Sequence, residues 1–445
     1  MNQSLFRTFA KYVSLNILGM IGLSCYILAD TFFIAQKLGA DGLAALNLSI
    51  PIYSLIHGLG LMIAIGGATR FSILRSQEEE QGAQAVASTS LRMGLGIGFL
   101  CMILGLFYSA PLARTLGADF RILPLTKTYL ATILLFAPFF IVNNVALAFV
   151  RNDHEPRLAM QAMLVGSFSN IILDYIFMYP LEMGMFGAAL ATCLAPIISL
   201  GVMVPHFRRH GEKLVMFQAK FVGSLLPDLF ALGSSALIVE LSSAVVLITF
   251  NLIILRMQGN TGVAAYGIVA NLGLVAVSIF TGLAQGAQPL VSRLHGVKSV
   301  KLPEKVRGYA LMTSLIIASL LYLGILIYSD GIVALFNREG DPQIASLAVH
   351  GLKVYFLGFF FLCVNVVQAT YWSATEKPRK GFLLSMARGV VIIIPLVFVL
   401  SWIWGMTGVW LAFVLTEFVV AAWIVGESHM RGARFARNKE DIHIS

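Results

Sequence analysis

Four acidic side chains interrupt stretches that are otherwise almost wholly apolar. Asp30 follows Leu28-Ala29, Asp174 follows Asn170-Ile171-Ile172-Leu173, Glu240 lies among Ser234, Ser235, Ser242 and Ser243, and Glu417 follows Leu415-Thr416. Asn170 precedes Asp174 by one helical turn, so a helix presents both on one face. The chain turns near Glu182 to Gly184, and Thr192 follows at a depth it can share with Asn170 and Asp174. Two carboxylates, an amide oxygen and a hydroxyl form an oxygen-rich cage suited to Na⁺. The same two acids, held close together, can instead share a proton, because like charges favour protonation of one of them. Asp30, Asn170, Asp174 and Thr192 are therefore the candidate ion site, with H⁺ and Na⁺ both open.

Glu240 on its serine-rich segment reads as a cavity residue, able to attract a cation or carry a proton. Lys353 is either its charge partner or a side chain reaching for the outer interface. His57 is a further candidate in a polar cavity, as are Asn365 and Gln368. The chain has 31 Phe and 17 Met. Tyr26, Phe136 and Phe139 could give such a cavity aromatic walls, which attract organic cations, while Met adapts to varied shapes. Asp228 reads as interfacial and solvent-facing.

The elements that must hold these residues follow from composition. The chain has 445 residues, 58% hydrophobic and only 12% charged, whereas a soluble protein carries roughly 25% charge. The apolar residues come in blocks of about 20, the length of a helix that crosses a bilayer. Twelve such spans are expected, near 12–35, 46–69, 91–112, 128–150, 159–179, 185–205, 225–254, 264–291, 309–329, 344–372, 383–402 and 405–427. With the N-terminus inside, 22 Lys and Arg fall on the cytoplasmic side against six opposite, as an even number of spans with both termini cytoplasmic requires. Arg92 and Arg388 read as interfacial charges that extend this bias. Cys25, Cys101, Cys193 and Cys363 read as small buried hydrophobes, since no CxxC pair exists to suggest a metal. Pro138, Pro196 and Pro395 are expected to bend their helices. The histidines of the connector at 206–224 are expected to face solvent, and the charged tail from 428 to be without structure. A phosphate-binding GxxxxGK[ST] loop is absent, so uphill work must draw on an ion gradient or a partner.

The chain also repeats itself at an offset near 220 residues. Gly39-Ala40-Asp41-Gly42-Leu43-Ala44-Ala45 corresponds to Gly259-Asn260-Thr261-Gly262-Val263-Ala264-Ala265, Gly66 and Ser72 to Gly286 and Ser292, Pro156-Arg157 to Pro378-Arg379, and Gly187 to Gly408. Ordered together, these matches indicate a duplicated six-helix unit. Because six is even, both copies share one orientation in the membrane, as in parallel-repeat transporters. The expected organisation is an all-α polytopic membrane protein of two pseudo-symmetric six-helix bundles. An N-terminal lobe (1–205) and a C-terminal lobe (225–427) are joined by the linker 206–224 and followed by a cytoplasmic tail (428–445).

Three groups of residues resemble one known family over nearly the whole length. They are Ala29-Asp30-Thr31-Phe32-Phe33 with Leu38-Gly39 and Gly42-Leu43-Ala44-Ala45-Leu46; Asn170-Ile171-Ile172-Leu173-Asp174 with Gly184, Gly187-Ala188-Ala189 and Ala191-Thr192; and Leu283, Gln285, Gly286, Gln288, Pro289 and Leu290. The chain resembles the multidrug and toxic compound extrusion (MATE) family, especially its bacterial efflux members. The resemblance implies two six-helix lobes, a V-shaped cavity and rocker-type alternating access in the bacterial inner membrane. It also implies export of varied, often cationic drugs in exchange for H⁺ or Na⁺. The family's N-lobe ion site would fall on Asp30, Asn170, Asp174 and Thr192. Relatives that use an acid in the seventh helix often carry another in the tenth, where this chain has only Asn365 and Gln368. The expected partners are small-molecule drugs and membrane lipids, with no nucleic acid, no cofactor beyond the coupling ion and no second copy of the chain. The alternative function is a lipid or lipid-linked oligosaccharide flippase. That would need a cationic cavity for phosphate, whereas these spans carry mainly acids. No nucleophile motif or metal spacing supports an enzyme.

Overall fold

The computed structural model describes residues 2–209, 219–337 and 340–444. Part of the expected linker, with His210 and Lys213, lies outside the described residues, as do Arg338 and Ser445. The regular elements are helical: α1 (Asn2–Ser76), α2 (Glu80–Thr115), α3 (Leu123–Leu135), α4 (Ala137–Asn152), α5 (Pro156–Met178), α6 (Gly184–Arg209), α7 (Leu226–Gly296), α8 (Lys301–Phe336), α9 (Pro342–Tyr355), α10 (Phe359–Ala374), α11 (Pro378–Met386) and α12 (Ile393–Ile444). This is the one open-ended architecture in which the backbone satisfies its own hydrogen bonds inside lipid.

Among the described residues, eight helices are long and apolar enough to cross a membrane, or nine when the bent pair α3 and α4 counts as one span. The difference from twelve separate spans has a backbone cause. Two pairs of expected spans run on as the single elements α1 and α7, and the eleventh span, begun in α11, runs on through α12 into the twelfth. Each of these is broken by one glycine, at Gly39 (φ 62°, ψ −149°), Gly259 (φ 59°, ψ −151°) and Gly405 (φ 59°, ψ −134°). No atom lies within 4 Å of where a Cβ would stand at Gly39 or Gly259, so the positive φ rather than lack of room calls for glycine. The two breaks are nearly identical and occupy matching places in the sequence repeat. Gly184, at the start of α6, has a φ of 56° and matches Gly405 in the same way.

The prolines act unequally. Pro138 sits just after the 49° bend between α3 and α4, whereas α6 passes through Pro196 as one helix. Pro395 follows a π-helical turn at Ala387–Val391. The charged tail, expected to lack structure, carries α12 on to Ile444. Its alanines, arginines and glutamates are compatible with helix.

Two compact units emerge from packing. The first comprises residues 1–245, 274–310 and 369–385, and the second comprises 246–273, 311–368 and 386–445. In the first unit α1 and the early part of α7 approach to backbone contact. A Cβ on Gly66 would lie 2.1 Å from the Leu229 carbonyl oxygen, and one on Gly233 would lie 1.9 Å from that of Met62. Close approach of small residues replaces the hydrophobic drive that lipid cannot supply. Polar groups caught in these contacts are bonded. Asn16 donates to the Gly282 carbonyl (2.7 Å), Arg151 donates to the Asn16 side-chain oxygen (2.6 Å), and Gln288 donates to Thr69 Oγ1 (3.0 Å).

Several residues assigned to solvent or to the interface are held in networks instead. Asp228 accepts from Arg70 Nε (2.5 Å) and Nη2 (2.8 Å), while Arg70 Nη1 reaches Glu376 Oε1 (2.6 Å) and His295 pairs with Glu376 (3.1 Å). His206 is buried, with Nε2 3.1 Å from Asp153 Oδ2. Asp153 also accepts from Arg75. Pairing explains the correction, because a His or Asp with a partner can leave water at little cost. Of the four free cysteines, Cys101, Cys193 and Cys363 are buried as expected, but Cys25 is exposed, which a thiol tolerates as a small apolar group.

Burial alone would raise the Asp153 carboxyl. The hydrogen bonds and positive charges of His206 and Arg75 nevertheless hold it below its ordinary value. A depressed carboxylate stabilises the fold above the unfolded value of about 3.9 and loses that contribution as pH falls through the folded value. Thermal unfolding in detergent is expected to show wild-type stability dropping below that range, while Asp153→Asn is less stable at neutral pH and flatter in acid. Gly233→Ala is expected to cost about 1–3 kcal/mol through overpacking and to lower the melting temperature. Gly308→Ala, at a site with nothing within 4 Å, should leave it unchanged or raised.

Candidate ion-coupling site

Three helices of the first unit carry the candidate ion residues, and glycines let those helices meet. A Cβ on Gly22 of α1 would lie 2.6 Å from Leu164 Cδ2 of α5, and one on Gly19 would lie 2.8 Å from Met163 Sδ. On the other side of α5, a Cβ on Gly166 would come within 3.1 Å of the Ala195 carbonyl oxygen of α6. Asp30 of α1, Asn170 and Asp174 of α5, and Thr192 of α6 are brought together here, all four buried.

Asn170 joins two of these helices. With its amide turned to suit its neighbours, its nitrogen donates to Asp174 Oδ2 at 3.1 Å and its oxygen accepts from the Thr192 backbone N–H at 3.1 Å. The Thr192 hydroxyl donates to the Ala188 carbonyl at 3.1 Å, which leaves its oxygen lone pairs free to accept. Asp30 lies within electrostatic reach of Asp174. Asp30 Oδ1 and Asp174 Oδ1 are buried and have no hydrogen-bond partner. Two orphaned carboxylate oxygens, one of them on the acid that Asn170 ties to Thr192, are acceptors of the kind that a small monovalent cation or a proton satisfies. Among the described residues, no group of three or more His, Cys, Asp or Glu side chains is arranged to hold a metal, so the site offers less charge than a divalent-ion cage.

The cavity candidates Tyr26, His57 and Glu240 are linked through Tyr53, which, like Tyr129, spacing did not single out. Tyr26 Oη lies 3.0 Å from Tyr53 Oη, and the Tyr53 ring stacks on His57 at 6.0 Å between centroids. His57 Nδ1 stands 3.4 Å from Glu240 Oε2, both side chains partly exposed. Glu240 therefore has His57 for its partner, while Lys353 lines a surface cavity with Asp330 and His350. Tyr129 is buried and senses both Asp30 and Asp174. The other cavity candidates have varied surroundings. Tyr26 is buried, Phe136 is half-buried against the core of the unit, and Phe139 is 42% exposed. Asn365 and Gln368 are both buried.

Arg388, read as an interfacial charge, is largely shielded within the second unit. It donates from Nε (3.1 Å) and Nη2 (2.8 Å) to Glu417 Oε1. Asn365 donates to Glu417 Oε2 (2.6 Å) and to its carbonyl (2.9 Å). An acid and a base in neighbouring spans are a sequence signal for such a pair, but the 29 residues between them give no periodicity to follow.

Comparison with known proteins agrees with this architecture. Over 420 residues the chain is 27% identical to the multidrug export protein MepA of Staphylococcus haemolyticus, covering 94% of this chain and 92% of that protein. It is 26% identical over 398 residues to the MepA of Staphylococcus saprophyticus, covering 89% and 87%. In the solved structure of an outward-facing multidrug resistance MATE family transporter of the MOP superfamily, the fold matches with a TM-score of 0.90 at 22% identity, over 97% of this chain and 96% of the other. A MOP superfamily transporter from Pyrococcus furiosus, described as having a binding pocket of reverse polarity, matches at 0.88 and 22% identity over 95% of each chain. The family model MatE matches in two stretches, residues 16–176 and 236–399. With most of the chain accounted for by that model and by proteins of similar length, the chain belongs to the MatE family.

Proposed function

We propose that this chain is a secondary active multidrug exporter of the inner membrane. It expels varied amphipathic and often cationic compounds in exchange for H⁺ or Na⁺. The observation that carries this reading is the pair of buried carboxylate oxygens, Asp30 Oδ1 and Asp174 Oδ1, left without partners. An Asp in hydrocarbon costs at least roughly 2.5–3.5 kcal/mol, so a cation or proton bound there is worth enough to bias helix packing. Asn170 transmits the change, since its amide bonds both Asp174 and the α6 backbone. Membership of a transporter family, and relatives named as multidrug export proteins, support transport rather than enzymatic chemistry.

Counting each glycine-broken helix as two spans and the bent pair as one gives twelve. On this reading the even count keeps both termini on one side, taken as the cytoplasm from the excess of Lys and Arg there, with lobes at 1–205 and 225–427, the linker 206–224 between them and the tail from 428. The family match in two stretches supports the duplication. Glu240 with His57, Tyr26, Phe136, Phe139, Asn365 and Gln368 are the substrate-cavity residues of this reading. Alternating access exposes them to each side in turn, and one chain suffices.

Two measurements test it. In proteoliposomes loaded with an organic cation, Asp30→Asn and Asp174→Asn should each lower ion-driven export by about tenfold or more, the factor that 1.4 kcal/mol represents, while the protein stays inserted. Wild-type rates in both variants would sink the ionic role. Imposing Na⁺ and pH gradients separately then identifies the coupling ion, because only the gradient of that ion should drive uphill export.

A further inference from the structure

Two of the buried carboxylate sites within the apolar spans differ in one respect. Near Asp30 and Asp174 two oxygens lack partners. In the second unit both oxygens of Glu417 are satisfied, Oε1 by two nitrogens of Arg388 and Oε2 by Asn365. Arg388 and Glu417 are both largely shielded, with side chains 11% and 4% exposed. A guanidinium stays protonated under all conditions the protein meets, so Glu417 is never without a positive charge. The backbone is adapted to deliver that charge. Arg388 lies on a π-helical turn, where Ile392 N–H donates to the Ala387 carbonyl at 2.9 Å, an i→i+5 bond. Such turns are uncommon and cluster at functional positions, because the extra residue re-aims a side chain.

We propose that Arg388 is a resident counter-cation. It fills, at the buried acid of the C-terminal half, the role that an exchangeable H⁺ or Na⁺ fills at the Asp30–Asp174 pair, and so confines ion exchange to the N-terminal half. The inference rests on the acid-pair reading above. It also identifies a latent cation site. Without the guanidinium, Glu417 Oε1 joins Asn365 Oδ1, already buried and without a donor, as two inward oxygens open to a monovalent cation or a proton. Among the described residues, Tyr355 and Cys363 also lie within electrostatic reach of Glu417. Both are neutral under ordinary conditions and do not replace the lost charge.

The test is the number of coupling ions exchanged per substrate. It is read from the gradient that brings tetraphenylphosphonium flux to zero in proteoliposomes. Arg388→Gln should raise that number by one over wild type. Arg388→Lys, which keeps the cation, and the double variant Arg388→Gln/Glu417→Gln, which removes both charges, should keep the wild-type number. An unchanged number in folded Arg388→Gln would overturn the proposal. So would loss of ion-driven flux in a double variant that still inserts and binds tetraphenylphosphonium, since that would make the pair itself a coupling site. If Arg388→Gln fails to fold, the lysine and double variants decide the matter alone, and a number different from wild type in either is fatal to it. Repeating the measurement with Asp30→Asn separates the two ideas. Flux that persists there refutes the acid pair whatever Arg388 does, whereas its loss leaves the Arg388 result to be judged independently.

Discussion

Charge in a medium without water needs a partner, and that requirement orders most of the polar chemistry here. Arg70 has Asp228 and Glu376, Asp153 has Arg75 and His206, Glu417 has Arg388 and Asn365, and Glu240 has His57. Each pairing lowers the cost of withdrawing ions from water, though a buried pair is only weakly stabilising when compared with apolar residues of the same size. Against that background the Asp30–Asp174 pair stands out among these acids. Its nearest polar neighbours are neutral, and two of its oxygens face nothing that can donate. A fold that has answered the same demand elsewhere has left it open at this point, and an open charge deficit is what a coupling site requires.

Close helix approach is the second constraint, and it makes the first one workable. Lipid is as apolar as leucine, so helices gain nothing by hiding side chains from it and must instead gain dispersion contacts and short polar bonds. Gly19 and Gly22 make room for side chains of α5, while Gly166 against α6, and Gly66 and Gly233 between α1 and α7, let backbones touch. With side chains there, α1 and α5, which carry Asp30 and Asp174, would have to move apart or repack. The ionic site depends in this way on residues that carry no polar side chain.

Much of this was readable in the residues themselves. The helical class follows from apolar blocks with few charges. The duplication follows from matched glycines, and Asn170 and Asp174 share a face by spacing alone. Which of 40 glycines pack and which break a helix was not readable, because Gly39 and Gly66 look alike in a sequence and differ only in φ and in neighbours. Tyr53 and Tyr129 were missed because nothing in an apolar span sets one buried tyrosine apart from the others. Arg388 was misread for a different reason. Its position near a helix end suggests an interface, and only the π turn aims it inward. His206 was missed because its partner, Asp153, lies beyond another helix in the chain.

The glycine breaks at residues 39 and 259 have a consequence for handedness. A φ near +60° with a ψ near −150° is the mirror image of the polyproline II conformation, which ordinary residues adopt with ease. The space where an L side chain's Cβ would stand is open at both sites, so the backbone dihedrals rather than crowding disfavour an L residue there. A D-alanine introduced by chemical ligation would meet its own favoured backbone region, whereas the L-alanine that genetic change can supply would not. Matching places in the sequence repeat thus both hold the one encoded residue that has no hand.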